Sequence, residues 1–325
     1  MIVLTGGAGF IGSNLLKRLN ADGVDDILVV DNLKNADKYR NLAGARFSDY
    51  VDRIEFRQRL EENRLPEQID AILHQGACTD TMEYDGAYMM RTNYDDSKAL
   101  LHLALDRKVP FVYASTAAVY GHARVATEDP ENEWPLNVYG YSKLQFDRYV
   151  RRLLPTAESP VVGLRYFNVY GHGEAHKGRM ASMVYQFARQ VQETGVARLF
   201  GASGPYGPGE STRDFVSVRD LVEINLHFLV RGGKGIVNAG SGVASTWNEM
   251  ATAVIEALGT GRIEYIEFPE GLKDKYQYDT RADLTRLRAM GYAREFIPLK
   301  DGVREYLTTL DAETAPFRPL PTPTP

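Results

Sequence analysis

The chain has 325 residues, 44% hydrophobic and 25% charged, with a net charge of −5. That size allows about two domains and a large core; the dispersed basic residues exclude a global field for nucleic acid, and no run approaches the roughly 20 apolar residues of a membrane span. The single cysteine, Cys78, cannot form an internal disulfide, the chain opens into a strand instead of a leader, and a reducing cytoplasm is the expected compartment.

The stretch from Val3 to Gly12 reads as a short buried strand that turns on glycines straight into a helix. Gly6 allows the tight turn, Gly9 lets the backbone approach a pyrophosphate, and Gly12 lets helix and strand pack closely. Amides at the helix start then face the anion. Helical spacing runs from Phe10 to Leu19, and Ile27 to Asp31 follows as a second buried strand. Asp31 lies about twenty residues beyond the glycines, where a carboxylate holds adenosine ribose hydroxyls and favours NAD. Lys34, Lys38 and Arg53 come close behind it. A cation from this set beside the ribose would hold a 2′-phosphate instead, although each reads equally well as solvated surface charge.

Ala71 to Ala77 is a further strand, leading through Gln75-Gly76-Ala77 into a small-residue turn that contains Cys78. The thiol has no second cysteine or triad histidine nearby and reads as packed; the six histidines show no metal-ligand spacing, so no metal is expected. Tyr88 to Leu105 forms one long helical stretch, and Phe111 to Ala114 the strand after it. Next come Ser115-Thr116-Ala117-Ala118 and then Tyr139-Gly140-Tyr141-Ser142-Lys143 opening a helix. Tyr139 and Lys143, four apart, project from one helical face, where the ammonium favours phenolate and makes Tyr139 a general base for an alcohol proton. Thr116, at the end of its strand, is placed to bind the same oxygen.

Val161 to Tyr166 is the last obvious buried strand, and beyond it the alternation of strands and helices becomes irregular. The expected division is a dinucleotide-binding domain over 1–165 that also receives later segments, a mainly substrate-binding lobe over 166–310, and a disordered proline-rich tail over 311–325. The lobe carries Asn168, the loop His176-Lys177-Gly178, a glycine- and proline-rich segment from Gly201 to Glu210, and Arg213, whose guanidinium suits a phosphate.

Gly6-x-x-Gly9-x-x-Gly12, Asp31, Thr116 and Tyr139-x-x-x-Lys143 together resemble the extended short-chain dehydrogenase/reductase family, from Met1 to about Leu310. Within it, Asp31-Asn32-Leu33-Lys34, Gln75 to Cys78, Leu136 to Lys143, Arg165 to Gly171 and His176-Lys177-Gly178 are similar to the ADP-heptose 6-epimerase branch. Nucleotide-sugar 4-epimerases lack this lysine loop, and 4,6-dehydratases place an Asp-Glu pair where this chain has Ala117-Ala118.

The resemblance implies an α/β fold with a Rossmann doubly wound parallel sheet and a smaller C-terminal α/β lobe. It also implies a self-contained redox cycle at carbon 6 of an ADP-heptose, in lipopolysaccharide core synthesis, with recycled NADP (NAD possible) in a homo-oligomer, a pentamer. Tyr139 is then the first base, with Thr116 and Lys143 beside it, and Lys177 is a second base for the other orientation of the turning keto oxygen. Besides Gly6, Gly9 and Gly12, the implied cofactor contacts are Phe10, Ile11, Asp31, Asn32, Lys38, Arg53, Gln75, Gly76, Ala77, Cys78, Thr79, Lys143, Val169 and Lys177. Asn168, Arg179, Gln186, Phe200, Arg213 and Tyr276 are the implied substrate contacts. The chain departs from the pattern at Thr92, where asparagine is expected, at Arg179, where serine is expected, and in the longer Gly201 to Glu210 loop. The alternatives are another nucleotide-sugar epimerase or reductase, and a non-catalytic dinucleotide sensor. Intact Thr116, Tyr139 and Lys143 argue against the sensor.

Overall fold

The computed structural model describes residues 1–123, 126–269 and 276–310. Its short aliphatic runs become strands because both faces of each are covered by helices. In chain order the strands are β1 (Ile2–Thr5), β2 (Ile27–Asp31), β3 (Asp49–Asp52), β4 (Ala71–His74), β5 (Phe111–Thr116), β6 (Val161–Tyr166), β7 (Asn168–Tyr170), β8 (Val196–Phe200), β9 (Thr212–Ser217), β10 (Lys234–Ala239), β11 (Ala244–Thr246) and β12 (Arg262–Ile266). Seven of them form one sheet in the order β10-β6-β5-β4-β1-β2-β3. Every neighbouring pair in it is parallel.

This is the doubly wound Rossmann arrangement that the motifs imply. The order reverses at β1, and the crevice beyond the strands' carboxyl ends at such a reversal is where a ligand lies. Register places the chemistry there: Thr5 pairs with Val30 on one side and His74 on the other, so the glycine turn, Asp31 and Gln75 leave the sheet together. The glycines are sterically required. A Cβ on Gly12 would sit 2.1 Å from the Gly6 carbonyl oxygen, and one on Gly6, which has φ of +70°, would sit 2.7 Å from the Gly76 nitrogen.

The smaller lobe is built on the three-stranded sheet β11-β9-β7 and the pair β12-β8. Helices Met183–Thr194, Trp247–Leu258 and Leu299–Thr308 close its core around Phe187, Leu199, Val254 and Val303. The chain returns to the first lobe in between. β10 adds to the edge of the large sheet beside β6, and helix Val218–Arg231 packs on helix Phe10–Ala21. One cut near residue 165 therefore does not separate the lobes.

Two strands of the large sheet escape the sequence pattern. β3 is Asp-Tyr-Val-Asp, too charged for a buried run, and it is held at the edge by pairing with β2. β10 follows Gly232-Gly233, in the part of the chain where the alternation is irregular. The single long helix expected from Tyr88 is three pieces: an α-helix Gly86–Met90, a π-helical turn Arg91–Asp95 and an α-helix Asp96–Arg107. The buried Asn93 in that turn explains the break. Its Oδ1 accepts the Cys78 N–H at 2.8 Å, and its Nδ2 donates to the Cys78 carbonyl at 2.9 Å and Ser142 Oγ at 3.1 Å, contacts that a regular helix would misdirect. The expected tail, 311–325, lies outside the described residues.

Candidate active site

A cavity of about 440 Å³ runs along the carboxyl ends of β1, β2 and β4. Gly6, Gly9, Phe10, Ile11 and Gly12 form its floor, Asp31, Asn32, Lys38 and Arg53 one end, and Gln75, Gly76, Ala77, Cys78 and Thr79 its wall. Helix Phe10–Ala21 starts at Gly9 with no side-chain cap, so its first amides are available to an anion. With these uncapped amides and a floor of glycines, the residues fit a dinucleotide pyrophosphate.

Asp31 lines the cavity and is itself held by the protein. Its Oδ2 accepts the Ala8 N–H at 2.8 Å, its Oδ1 accepts the Asn32 N–H at 2.6 Å, and Lys38 pairs with the same carboxylate. Oδ2 thus buttresses the glycine turn and Oδ1 anchors the lysine. Arg53 lies over the Tyr88 ring at 5.9 Å and reaches Thr92 Oγ1 at 3.5 Å.

Below the turn, the buried His74 bridges Thr5 Oγ1 at 2.6 Å and Ser97 Oγ at 2.8 Å. Burial pushes its pKa down to about 3, so the ring is a neutral strut at physiological pH. Thr5 Oγ1 in turn accepts the Gly76 N–H at 3.1 Å, which fixes the wall against the turn.

A second cavity of about 310 Å³ adjoins the first and shares Phe10, Ile11, Gln75, Ala77, Thr79, Lys177 and Met180 with it. Thr116, Tyr139, Lys143, Asn168, Val169 and Lys177 all line it. Helix Val138–Leu153, capped by Asn137 through the Gly140 N–H at 2.8 Å, carries Tyr139 and Lys143. Burial raises the phenol's pKa, and a hydrogen bond with Thr116 opposes it. The Lys143 Nζ donates to the Ala114 carbonyl at 2.8 Å. The ammonium is thus anchored to β5 while it lines the same cavity as the phenol.

Burial brings the Lys143 pKa down to about 8, against the pull of Asp147. Asp147 stands one turn further along the same helix and is fully buried. It accepts the Tyr113 and Ser115 hydroxyls and the Arg165 Nε, each at 2.9 Å, and Arg165 also pairs with Glu133. This ion network clamps the Tyr–Lys helix to β5 and β6.

Lys177 reaches the cavity from the opposite side, on the turn Ala175–Met180, with its Nζ 5.6 Å from the centre of the Phe10 ring. Burial lowers its pKa, and Glu174 opposes that. Glu174 is itself completely buried and clamps both ends of the turn, accepting the Gly171 N–H at 3.1 Å and Ser182 Oγ at 2.8 Å.

Other substrate candidates gather just beyond. The Arg213 guanidinium lies between Tyr276 at 4.7 Å and Trp247 at 5.4 Å, and Trp247 Nε1 donates to the Tyr276 hydroxyl at 2.9 Å. Phe200 joins them through Phe268, whose ring is 5.1 Å from that of Phe200 and 5.2 Å from that of Tyr276. Arg179 and Gln186 stand apart. Arg179 is exposed and pairs with Asp80 at 3.0 Å, while Gln186 Nε2 donates to the Gly178 carbonyl at 2.7 Å, which supports the lysine turn. Sequence reasoning missed Trp247, Met180 and His176 as lining residues. Trp247 starts a helix after a short strand and carried no local signal; His176 was visible beside Lys177 but without a role.

A parallel sheet of this order, with a glycine turn at its reversal and a Tyr–Lys helix facing it, defines a class of dinucleotide-binding proteins. Residues 2–240 match the model of the NAD dependent epimerase/dehydratase family, and the chain belongs to that family. It is 53% identical over 308 residues to the ADP-L-glycero-D-manno-heptose-6-epimerase of Alkalilimnicola ehrlichii, a match covering 94% of this chain and 96% of that one. The crystal structure of Helicobacter pylori ADP-L-glycero-D-manno-heptose-6-epimerase superposes with a TM-score of 0.83 at 30% identity, over 96% of each chain. The UDP-glucose 4-epimerase of Thermotoga maritima, solved with UDP-glucose, has a TM-score of 0.80 at 26% identity, over 97% of this chain and 99% of that one.

Proposed function

We propose that this protein is an isomerase that interconverts ADP-D-glycero-β-D-manno-heptose and ADP-L-glycero-β-D-manno-heptose through a transient 6-keto sugar. One observation carries the chemistry: Tyr139 and Lys177 line the same cavity from different elements, and that cavity opens onto the dinucleotide cradle. The Alkalilimnicola relative, similar over nearly the whole chain, supports the sugar.

A bound nicotinamide dinucleotide supplies a reversible hydride acceptor. The protein's residues manage the oxygen and its proton. In one orientation of the sugar, Tyr139, in hydrogen bond with Thr116, holds the carbon-6 oxygen and exchanges its proton. In the other, Lys177 does so. Inversion needs the keto group to present both faces, and a single phenol is placed for only one. Arg213 and Tyr276 hold the nucleotide end, and Asn168 the sugar. NADP is the proposed cofactor because both Asp31 oxygens are engaged by the turn and Lys38, while Lys38 and Arg53 bring positive charge to that end. NAD is the second reading, and the family description favours it. A cytoplasmic homo-oligomer belongs to the same proposal.

The experiment is to incubate the purified protein with ADP-D-glycero-D-manno-heptose, add no cofactor, and follow carbon 6 by proton NMR. Interconversion establishes the epimerase and a retained dinucleotide together. An unchanged sugar, even with NADP and NAD supplied, overturns the heptose assignment.

The ammonium form of Lys143 is the one that favours phenolate, so activity should fall as pH rises through about 8. Asp147 keeps the proton on Lys143. Asp147→Asn is therefore expected to move the alkaline limb of the pH–rate profile to lower pH, by roughly one unit. A limb that stays in place removes Asp147 from the tuning of Lys143.

A further inference from the structure

Among the described residues two arginines are buried, Arg165 and Arg213, and they are held in opposite ways. Arg165 is neutralised by Asp147 and Glu133. Arg213 has no carboxylate paired with it among the described residues. Asp279, which acts on it from further off, spends its carboxylate on the Tyr206 hydroxyl and on Thr212 Oγ1, the latter at 2.8 Å. What faces the guanidinium instead is a pair of rings, Trp247 and Tyr276.

The indole is fixed in place. β11 pairs antiparallel with β9, with Ser245 opposite Arg213 and Thr246 opposite Thr212, so the helix that begins at Trp247 starts beside the arginine. Thr246 and Glu249 close that helix start with a capping box. The Phe215 ring packs against the indole at 5.3 Å and 66°, and the indole N–H is spent on the Tyr276 hydroxyl. An aromatic face attracts a cation without neutralising it, whereas a carboxylate would compete with any anion that the arginine is to bind. Trp247 also lines the cavity that holds Tyr139 and Lys177. It belongs both to the cavity of the chemistry and to the cage of the cation.

We propose that Trp247 is a positioning residue for the substrate: with Tyr276, its indole keeps the Arg213 guanidinium unneutralised and oriented for the diphosphate of the nucleotide sugar. This rests on the reading above that Arg213 meets the nucleotide end. A buried cation without a counter-ion is costly, and the two rings offset part of that cost until the diphosphate arrives. The diphosphate then completes the charge balance and accepts from the planar fork.

The test is a double-mutant cycle read as the Kd for ADP, measured by calorimetry on the dinucleotide-loaded protein so that ADP meets only the substrate site. Loss of a desolvated cation–π contact predicts that Trp247→Leu weakens ADP binding about fivefold to thirtyfold, and that Trp247→Phe, which keeps an aromatic face, weakens it less. Arg213→Met should weaken it at least as much as Trp247→Leu. In the Arg213→Met background the leucine change should then cost less than about twofold, because the indole has no cation left to hold. Trp247→Met, which fills more of the space, carries the same cycle should the leucine variant not fold. ADP binding within about twofold of wild type in the folded leucine or methionine variant overturns the proposal. So does a loss that recurs in full without Arg213, which would make the indole a contact or a scaffold in its own right. Unchanged ADP binding by Arg213→Met alone would instead overturn the reading that this arginine holds the nucleotide.

Discussion

Tyr139→Phe is expected to lower turnover of the ADP-heptose by about 10²–10⁴-fold, the range for removing a positioned general acid/base, while the dinucleotide stays bound. The phenol's ring packs in the cavity wall and its hydroxyl meets Thr116. Phenylalanine keeps the ring and removes only the group that exchanges the proton. The cradle of glycine-turn amides, Lys38 and the wall from Gln75 to Thr79 is untouched, so co-purified dinucleotide should remain near the wild-type amount. Turnover by proton NMR and dinucleotide released on denaturation are the two measurements. Unchanged turnover would show that the proton leaves by another route and would remove Tyr139 from the chemistry.

Lys177→Met is expected to cost a comparable factor, about 10²-fold or more, because the second orientation of the oxygen then has no partner for its proton. Methionine keeps most of the length and apolar volume of the lysine stem. The turn should persist, since Glu174 holds it through Gly171 and Ser182 and not through the lysine head. The loss should be equal in both directions: interconversion in either sense visits both orientations, and the equilibrium between the sugars is not the enzyme's to change. Near-normal rates would leave Tyr139 serving both orientations and would end the two-base reading. Rates in the two directions, from the two pure epimers, are the measurement.

These two residues also show where sequence reading succeeds and stops. Tyr139 and Lys143 were legible because their separation of four is a helical repeat, and the helix that realises it is local, with its own Asn137 cap. The glycine turn was legible for the same reason: strand, turn and helix are adjacent in sequence, and steric demands at Gly6 and Gly12 arise within that unit or against the neighbouring strand end. The buried strands β1, β2, β4, β5 and β6 were visible as apolar runs, since a parallel sheet covered on both faces leaves little room for polar residues. Lys177 stood out only through resemblance, because nothing within its own turn says what it faces.

What the sequence by itself determined is therefore the local machinery: the phosphate-binding turn, the Tyr–Lys face and the alternation that yields a doubly wound sheet. Only the tertiary structure decided that Asp31 supports the turn and anchors Lys38, that β10 returns to the large sheet, and that Asn93 breaks a helix to pin Cys78 and Ser142. It alone placed His176 at the cavity and Asn41 beside its ring, 135 residues away. The physical reason is common to all four. A side chain's charge, proton and direction are set by the neighbours that share its low-dielectric surroundings, and here those neighbours come from other elements of the fold.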